Sequence, residues 1–321
     1  GNAGTGWWRN MKLRRLLAMM LSLLAMNAAA EGTDAAIAVT DQQGRRVVVY
    51  SLCEEREPEE IFSWQPTEAL GYEQTERYVY PSDVRLRRHN ELNTQVLLTC
   101  ASHGFCTMAE LPSGKCLWQT TLPIEENPHA IELLPNGCIA VASSTGNAIR
   151  LYAPGSGEAA AKYTFADAHG LLWDPAMNVL WAVGRGRLSA FEIAGTPQEP
   201  ELVERRELRA ALPIANGHDV WPVYGDADRL WVVANAVFLY DKSERKWIRD
   251  DANLMKMQGE NVKSMGNTPD VVFVRTIPNG TFEVWDTDTL DVLYPGAEEP
   301  VEYRMEGLAV YRARIWNEAY Q

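Results

Sequence analysis

From residue 37 onward, short apolar runs are broken at near-regular intervals by Gly, Pro, Asn and Asp. Runs this short, bounded by turn formers, predict β-strands and not helices. Three stretches align with one another. His129–Ala142 continues to Ala148–Tyr152, His169–Val183 to Arg187–Phe191, and His218–Val233 to Val237–Asp241. Each reads as a strand, a tight turn, a second apolar strand, a polar loop and a third strand ending near an aromatic. A fourth strand follows, as at Ala161–Phe165 and Lys246–Ile248.

Weaker copies extend the series. Val262–Met265, Val271–Val274 and Thr281–Asp286 form one on the C-terminal side, and Val84–Leu86, Gln95–Leu98 and Phe105–Met108 one on the N-terminal side. Ile37–Thr40, Arg46–Tyr50 and Ile61–Trp64, together with Gly307–Val310 and Arg314–Trp316, supply a sixth unit drawn from both ends. Six units of about 48 residues have the period of propeller blades. The prediction is therefore an all-β fold, a six-bladed β-propeller of four-stranded blades with the ring closed by a blade shared between the N- and C-termini. A sandwich or solenoid accounts less well for the shared unit. Trp181, Trp231, Trp285, Tyr152 and Tyr240 are expected to pack between blades.

The first 30 residues follow a different pattern. Lys12, Arg14 and Arg15 precede the apolar run Leu16–Met26, and three alanines precede Glu31. That is the layout of a secretory signal peptide, with cleavage expected near Ala30–Glu31 and export to the periplasm or the outside. The run is far shorter than the ~20 residues that span a bilayer, so no membrane span is expected. Gly1–Asn10 read as upstream sequence before the start at Met11, which leaves 31–321 as a single propeller domain.

Charge narrows the function. The chain has 30 Lys+Arg against 43 Asp+Glu, a net −13, and its first 30 residues hold four cations and no acids, leaving −17 on the remainder. A body that acidic, with no basic stripe, is not expected to bind nucleic acid. Five cysteines (Cys53, Cys100, Cys106, Cys116 and Cys138) lack metal-ligand spacing. Cys100 and Cys106 flank the turn Ser102–Gly104 as a candidate cross-strand pair; buried free thiols are the reading for most of the five. A monomer is expected.

Candidate chemistry comes from the repeat itself. Arg85, His129, His169, His218, Lys263 and Glu306 stand near the start of successive innermost strands, 40 to 49 residues apart, which is one blade per step. Residues so placed point at the channel axis. Three neutral imidazoles meeting there could hold Zn or Mn with an open position, with Glu306 as a further ligand. Arg85 and Lys263 would draw an anion to the same place. The competing reading is structural: WD-type propellers carry a Gly-His pair like Gly217–His218 that only braces the blade, although the Asp that completes that brace is absent here. There is no Rossmann glycine pattern, so NAD is not expected; quinoprotein repeats are also absent, so neither is PQQ.

At Tyr80–Arg85, Asn127–Gly137, Ala142–Thr145, Asp167–Asp174, Gly217–Asp219 and Val262–Ser264 the chain resembles a family of secreted bacterial six-bladed propellers of unknown function. That family has Glu and Lys where this chain has Asp83 and Arg85. The resemblance implies fold and export and no activity. A more distant likeness, carried by His129, His169 and His218 alone, is to oligogalacturonate lyase-type propellers, which implies a channel Mn ion and a uronic-acid substrate. The resulting expectation is a secreted propeller binding an anionic small ligand, such as an acidic sugar, at the channel mouth, with metal-assisted polysaccharide lyase or hydrolase activity left open. The alternative is a non-catalytic scaffold for a protein or glycan, its histidines serving as braces. A quinone-dependent dehydrogenase is a third reading, which a bound chromophore would reveal.

Overall fold

The computed structural model describes residues 34–321, so the proposed leader and its cleavage point lie outside the described residues. Six four-stranded antiparallel sheets follow one another around a ring, forming a β-propeller. The first sheet contains β1 (Ala35–Asp41), β2 (Arg46–Cys53) and β3 (Arg56–Trp64). The second runs β4 (Pro81–His89), β5 (Thr94–Ala101), β6 (Phe105–Glu110) and β7 (Cys116–Thr121). The third is β8 (Pro128–Leu133), β9 (Ile139–Ser143), β10 (Ala148–Tyr152) and β11 (Ala159–Thr164). The fourth is β12 (Gly170–Asp174), β13 (Val179–Val183), β14 (Arg187–Gly195) and β15 (Pro200–Glu204), with the two-residue β16 (Ala210–Ala211) also on β14.

The fifth sheet is β17 (Asp219–Pro222), β18 (Arg229–Ala234), β19 (Ala236–Asp241) and β20 (Lys246–Ile248). The sixth is β21 (Ser264–Asn267), β22 (Phe273–Thr276), β23 (Thr289–Leu293) and β24 (Val301–Arg304). The last strand, β25 (Val310–Ile315), pairs antiparallel with β1, placing Ile315 opposite Ile37 and Ala313 opposite Val39. Among the described residues no helix is long and apolar enough to cross a membrane.

The polarity of each strand follows its place in the blade. Inner strands such as β8 and β12 are buried along their whole length, whereas the outer strand β11 alternates exposed and half-buried residues. The apolar core lies between blades: Leu172 and Trp181 of the fourth pack with Val220, Leu230 and Tyr240 of the fifth. Trp181, Trp231, Tyr152 and Tyr240 are buried as the sequence predicts.

Trp285 is not; it stands at the mouth of the channel, 36% exposed. The reason is local. Thr281–Asp286 has the alternation of a strand, but the Asp286 carboxylate accepts the backbone N–H groups of Phe282 and Glu283 at 2.9 and 3.0 Å and turns the chain. The third strand of that blade is β23 instead.

The channel is filled by charge. Arg85 and Arg87 of β4, Arg312 and Arg314 of β25, Asp83 of β4, Glu132 of β8 and Asp219 of β17 are all 0 to 1% exposed. Arg87 clasps Glu132 through Nε and Nη2 at 2.8 and 3.0 Å, and Arg85 reaches the same carboxylate at 2.6 Å. Arg314 bridges Asp83 and Asp219 and stacks over the Trp221 ring at 4.1 Å. Buried charges persist only when paired in this way. Four guanidinium groups face three carboxylates, so the plug carries one positive charge in excess.

Candidate functional site

One mouth of the channel opens into a cavity of about 440 Å³ above this plug. His129, His169, His218, Lys263 and Tyr311 come from five blades to form its floor and inner wall, and Tyr80 and Trp285 stand at its rim. A recurring backbone feature aims four of these side chains inward. Asn127, Asp167, Asn216 and Asn261, each two residues before a member of the ring, all have positive φ, between 50° and 71°. Asn and Asp adopt the left-handed region more readily than other L-residues. The Asx-x-His or Asx-x-Lys spacing therefore swings the chain from the preceding loop into the innermost strand and leaves the next-but-one residue facing the axis.

The histidine rings stand side by side, with centroids 4.4 Å apart for His129 and His169 and 5.2 Å for His169 and His218; Tyr311 lies edge-on to His129 at 5.7 Å. His129 Nδ1 is 3.0 Å from the Asn127 carbonyl, and His169 Nδ1 is 3.0 Å from the Asp167 carboxylate. The Lys263 ammonium donates to His218 Nε2 at 3.1 Å, while His218 Nδ1 is buried without a partner. Arg312 seals the floor, donating to the backbone carbonyls of all three histidines.

These surroundings set the charge state. Burial, then the neighbouring His169, holds His129 well below the ordinary histidine range. Burial and the Lys263 charge push His218 down to about 2, so both rings are neutral at pH 7. Burial, with Arg312 adding repulsion, pushes Lys263 down to about 8. Asp167 is held far below the usual carboxylate range by its hydrogen bond with His169, against the opposing effect of burial.

Four of the six residues expected at the channel mouth are brought together there: His129, His169, His218 and Lys263. Arg85 is not. It is wholly buried in the plug between Asp83 and Glu132, because an arginine five residues beyond the left-handed Tyr80, rather than two, lies deeper along β4. Glu306 sits in an exposed turn between β24 and β25, five residues ahead of Tyr311, which faces the cavity from that blade. Equal sequence spacing misplaced both, whereas the Asx-x-His pattern marks the ring without them. His103, on the β5–β6 turn, also lines the wall.

The side chains as arranged do not fit a Zn or Mn centre. The Nε2 lone pair of His218 is taken by Lys263, and among the described residues no group of three or more His, Cys, Asp or Glu side chains has ligating geometry. What the site offers is a half-buried ammonium, the neutral imidazoles of His129 and His218, and an aromatic rim in which Tyr80 meets Trp285 at 5.8 Å.

A model described as a family of unknown function, DUF6528, matches residues 11–319. No curated protein matches the chain. A protein of unknown function from Bacteroides caccae is similar in structure, with a TM-score of 0.56 at 11% identity over 86% of this chain and 97% of that one. A functionally unknown protein from Desulfotomaculum acetoxidans DSM 771 is similar at a TM-score of 0.51 and 13% identity, over 88% and 89% of the two chains. At such identities the likeness shows the fold alone.

Proposed function

This chain belongs to the DUF6528 family, and we propose that it binds a small organic anion, of the acidic-sugar class, at the histidine-lined mouth of its channel. The observation that carries the reading is Lys263. Among the described residues its ammonium has no carboxylate partner, only the neutral His218, and it faces the cavity beneath whose histidines Arg312 is buried. A half-buried cation above a plug with a surplus positive charge favours an anion that supplies the missing partner. The imidazoles can donate to or accept from hydroxyl groups, and the faces of Tyr80 and Trp285 suit the C–H face of a sugar ring. The reading is of binding; no catalytic step is derived from it. Export before binding is supported by the charge and apolar layout of residues 12–31.

Calorimetric titration with galacturonate oligomers, set against their methyl esters, tests the reading. The acids are expected to bind and the neutral esters to bind far more weakly. Lys263→Met removes a charge-assisted bond worth about 1.5–3 kcal/mol, which corresponds to about 10- to 100-fold in affinity. Affinity should also fall as pH rises through about 8, where Lys263 loses its proton. Equal affinity for acid and ester, or no effect of Lys263→Met, would remove the proposal. A scaffold reading then takes its place, favoured by Phe282 and Val284 at 46% and 81% exposure on the rim loop.

A further inference from the structure

The five cysteines are all free thiols, but two of them are placed unlike the rest. Cys100 on β5 lies directly opposite Cys106 on β6 in an antiparallel pair. Directly opposed residues in such a pair share one face of the sheet, with Cα atoms ~4.5 or ~5.5 Å apart according to hydrogen-bonding position. Both separations fall inside the ~4.4–6.8 Å that a disulfide spans. Both are completely buried in an apolar cluster with Val141 and Tyr152, Cys100 Sγ lying 3.5 Å from Ser82 Oγ and Cys106 Sγ 3.7 Å from the Gly104 carbonyl. The other strand-borne cysteines have no such neighbour: Cys116 faces Ala109 and Cys53 faces Arg56.

The turn these two residues enclose belongs to the cavity. Ser102 and His103 line its wall, and Arg77 holds the His103 carbonyl from outside at 2.6 and 2.9 Å. We propose that Cys100 and Cys106 are a thiol–disulfide site whose oxidation clamps the turn carrying Ser102 and His103 in the wall of the histidine-lined cavity. With glutathione disulfide as oxidant, one cysteine thiolate attacks the disulfide and releases one glutathione thiolate, giving a mixed disulfide. The second cysteine thiolate then attacks the protein sulfur and releases the second glutathione. Two thiols are oxidised, one glutathione disulfide is reduced to two glutathiones, and the two thiol protons pass to the released thiolates. Because both sulfurs are out of reach of glutathione in the folded blade, the exchange takes place while the chain folds. The bond, once formed, is shielded from reductant in the same way.

Unfolding the reduced protein in urea and refolding it in a glutathione redox buffer tests this, followed by acid quenching, alkylation with iodoacetamide in denaturant so that every remaining thiol is reached, and peptide mapping. The expected result is a Cys100–Cys106 cross-link with Cys53, Cys116 and Cys138 alkylated. A Cys53→Ser/Cys116→Ser/Cys138→Ser variant should refold to a product two hydrogen masses lighter than its reduced form and take up no label in denaturant. Amide exchange at Ser102, His103 and Gly104 should slow several-fold in the oxidised protein. Alkylation in denaturant of both Cys100 and Cys106 from the correctly refolded product, or their cross-linking to other cysteines, would overturn the site. Unchanged exchange in the turn would overturn the clamp.

Discussion

Arg314 offers the sharpest test of how the channel plug is held. Its Nε and Nη2 donate to Asp83 Oδ1 at 3.0 and 2.9 Å, and its Nη1 and Nη2 donate to the two oxygens of Asp219 at 2.5 and 2.8 Å. Asp83 also has Arg85, but among the described residues Asp219 has no other charged partner. Arg314→Met therefore strands a fully buried carboxylate, a defect that costs about 3–5 kcal/mol. Asp219→Asn leaves Arg314 its bonds to Asp83 and an amide oxygen to donate to, so the cost is that of one charge-assisted bond, about 1.5–3 kcal/mol. The double variant leaves no unpaired charge. It should be more stable than Arg314→Met alone, with a coupling energy of at least about 1.5 kcal/mol. Equilibrium unfolding in urea at pH 7, followed by tryptophan fluorescence, gives the four free energies, provided the slopes agree among the variants. Costs that add to within about 0.5 kcal/mol would show the two residues acting independently and would refute the pairing argument.

Further expectations follow from the same geometry. Acid should weaken the fold before the carboxylates titrate: His129 and His218 stay neutral in the folded chain while the unfolded chain takes up protons below about pH 6.5. More protons on the unfolded state means that unfolding free energy falls as pH falls, by about 1.4 kcal/mol per unit for each such histidine between about pH 6 and 5. A His218→Gln variant should show a shallower decline over that window in thermal unfolding, and an unchanged slope would contradict the buried-neutral assignment. Glu306→Gln is expected to leave anion affinity within about twofold of wild type, because Glu306 lies in an exposed turn outside the cavity lining. Supplying Zn or Mn should leave that affinity unchanged; elemental analysis finding one tightly held ion per chain, lost in a folded His129→Ala/His169→Ala variant, would reverse this. Expressed from Met11 in an exporting bacterium, the protein should yield a mature chain beginning at Glu31, read by N-terminal sequencing.

The repeat was legible in the sequence because each blade solves the same problem locally. Alternating runs and turn formers specify strands, and recurring copies such as Leu171–Val183 and Val220–Val233 specify that the unit is used again. His129, His169 and His218 were legible as equivalents for the same reason, and the Asx residues two places before them carry the backbone signal that turns them inward. What only the tertiary structure decided is which charged residues meet. Arg85, Arg87, Glu132, Arg312 and Arg314 lie on strands far apart in the chain, and each pattern by itself would suit an outward-facing charge. Their convergence depends on how deep along each strand a residue sits once the blades are assembled, and sequence spacing does not encode that depth. The same holds for Thr281–Asp286, whose alternation predicted a strand until one carboxylate captured two backbone N–H groups and made it the rim of the cavity. Local pattern thus determined the elements and their repetition, whereas long-range electrostatic pairing across the axis decided which side chains fill the channel and which face its mouth.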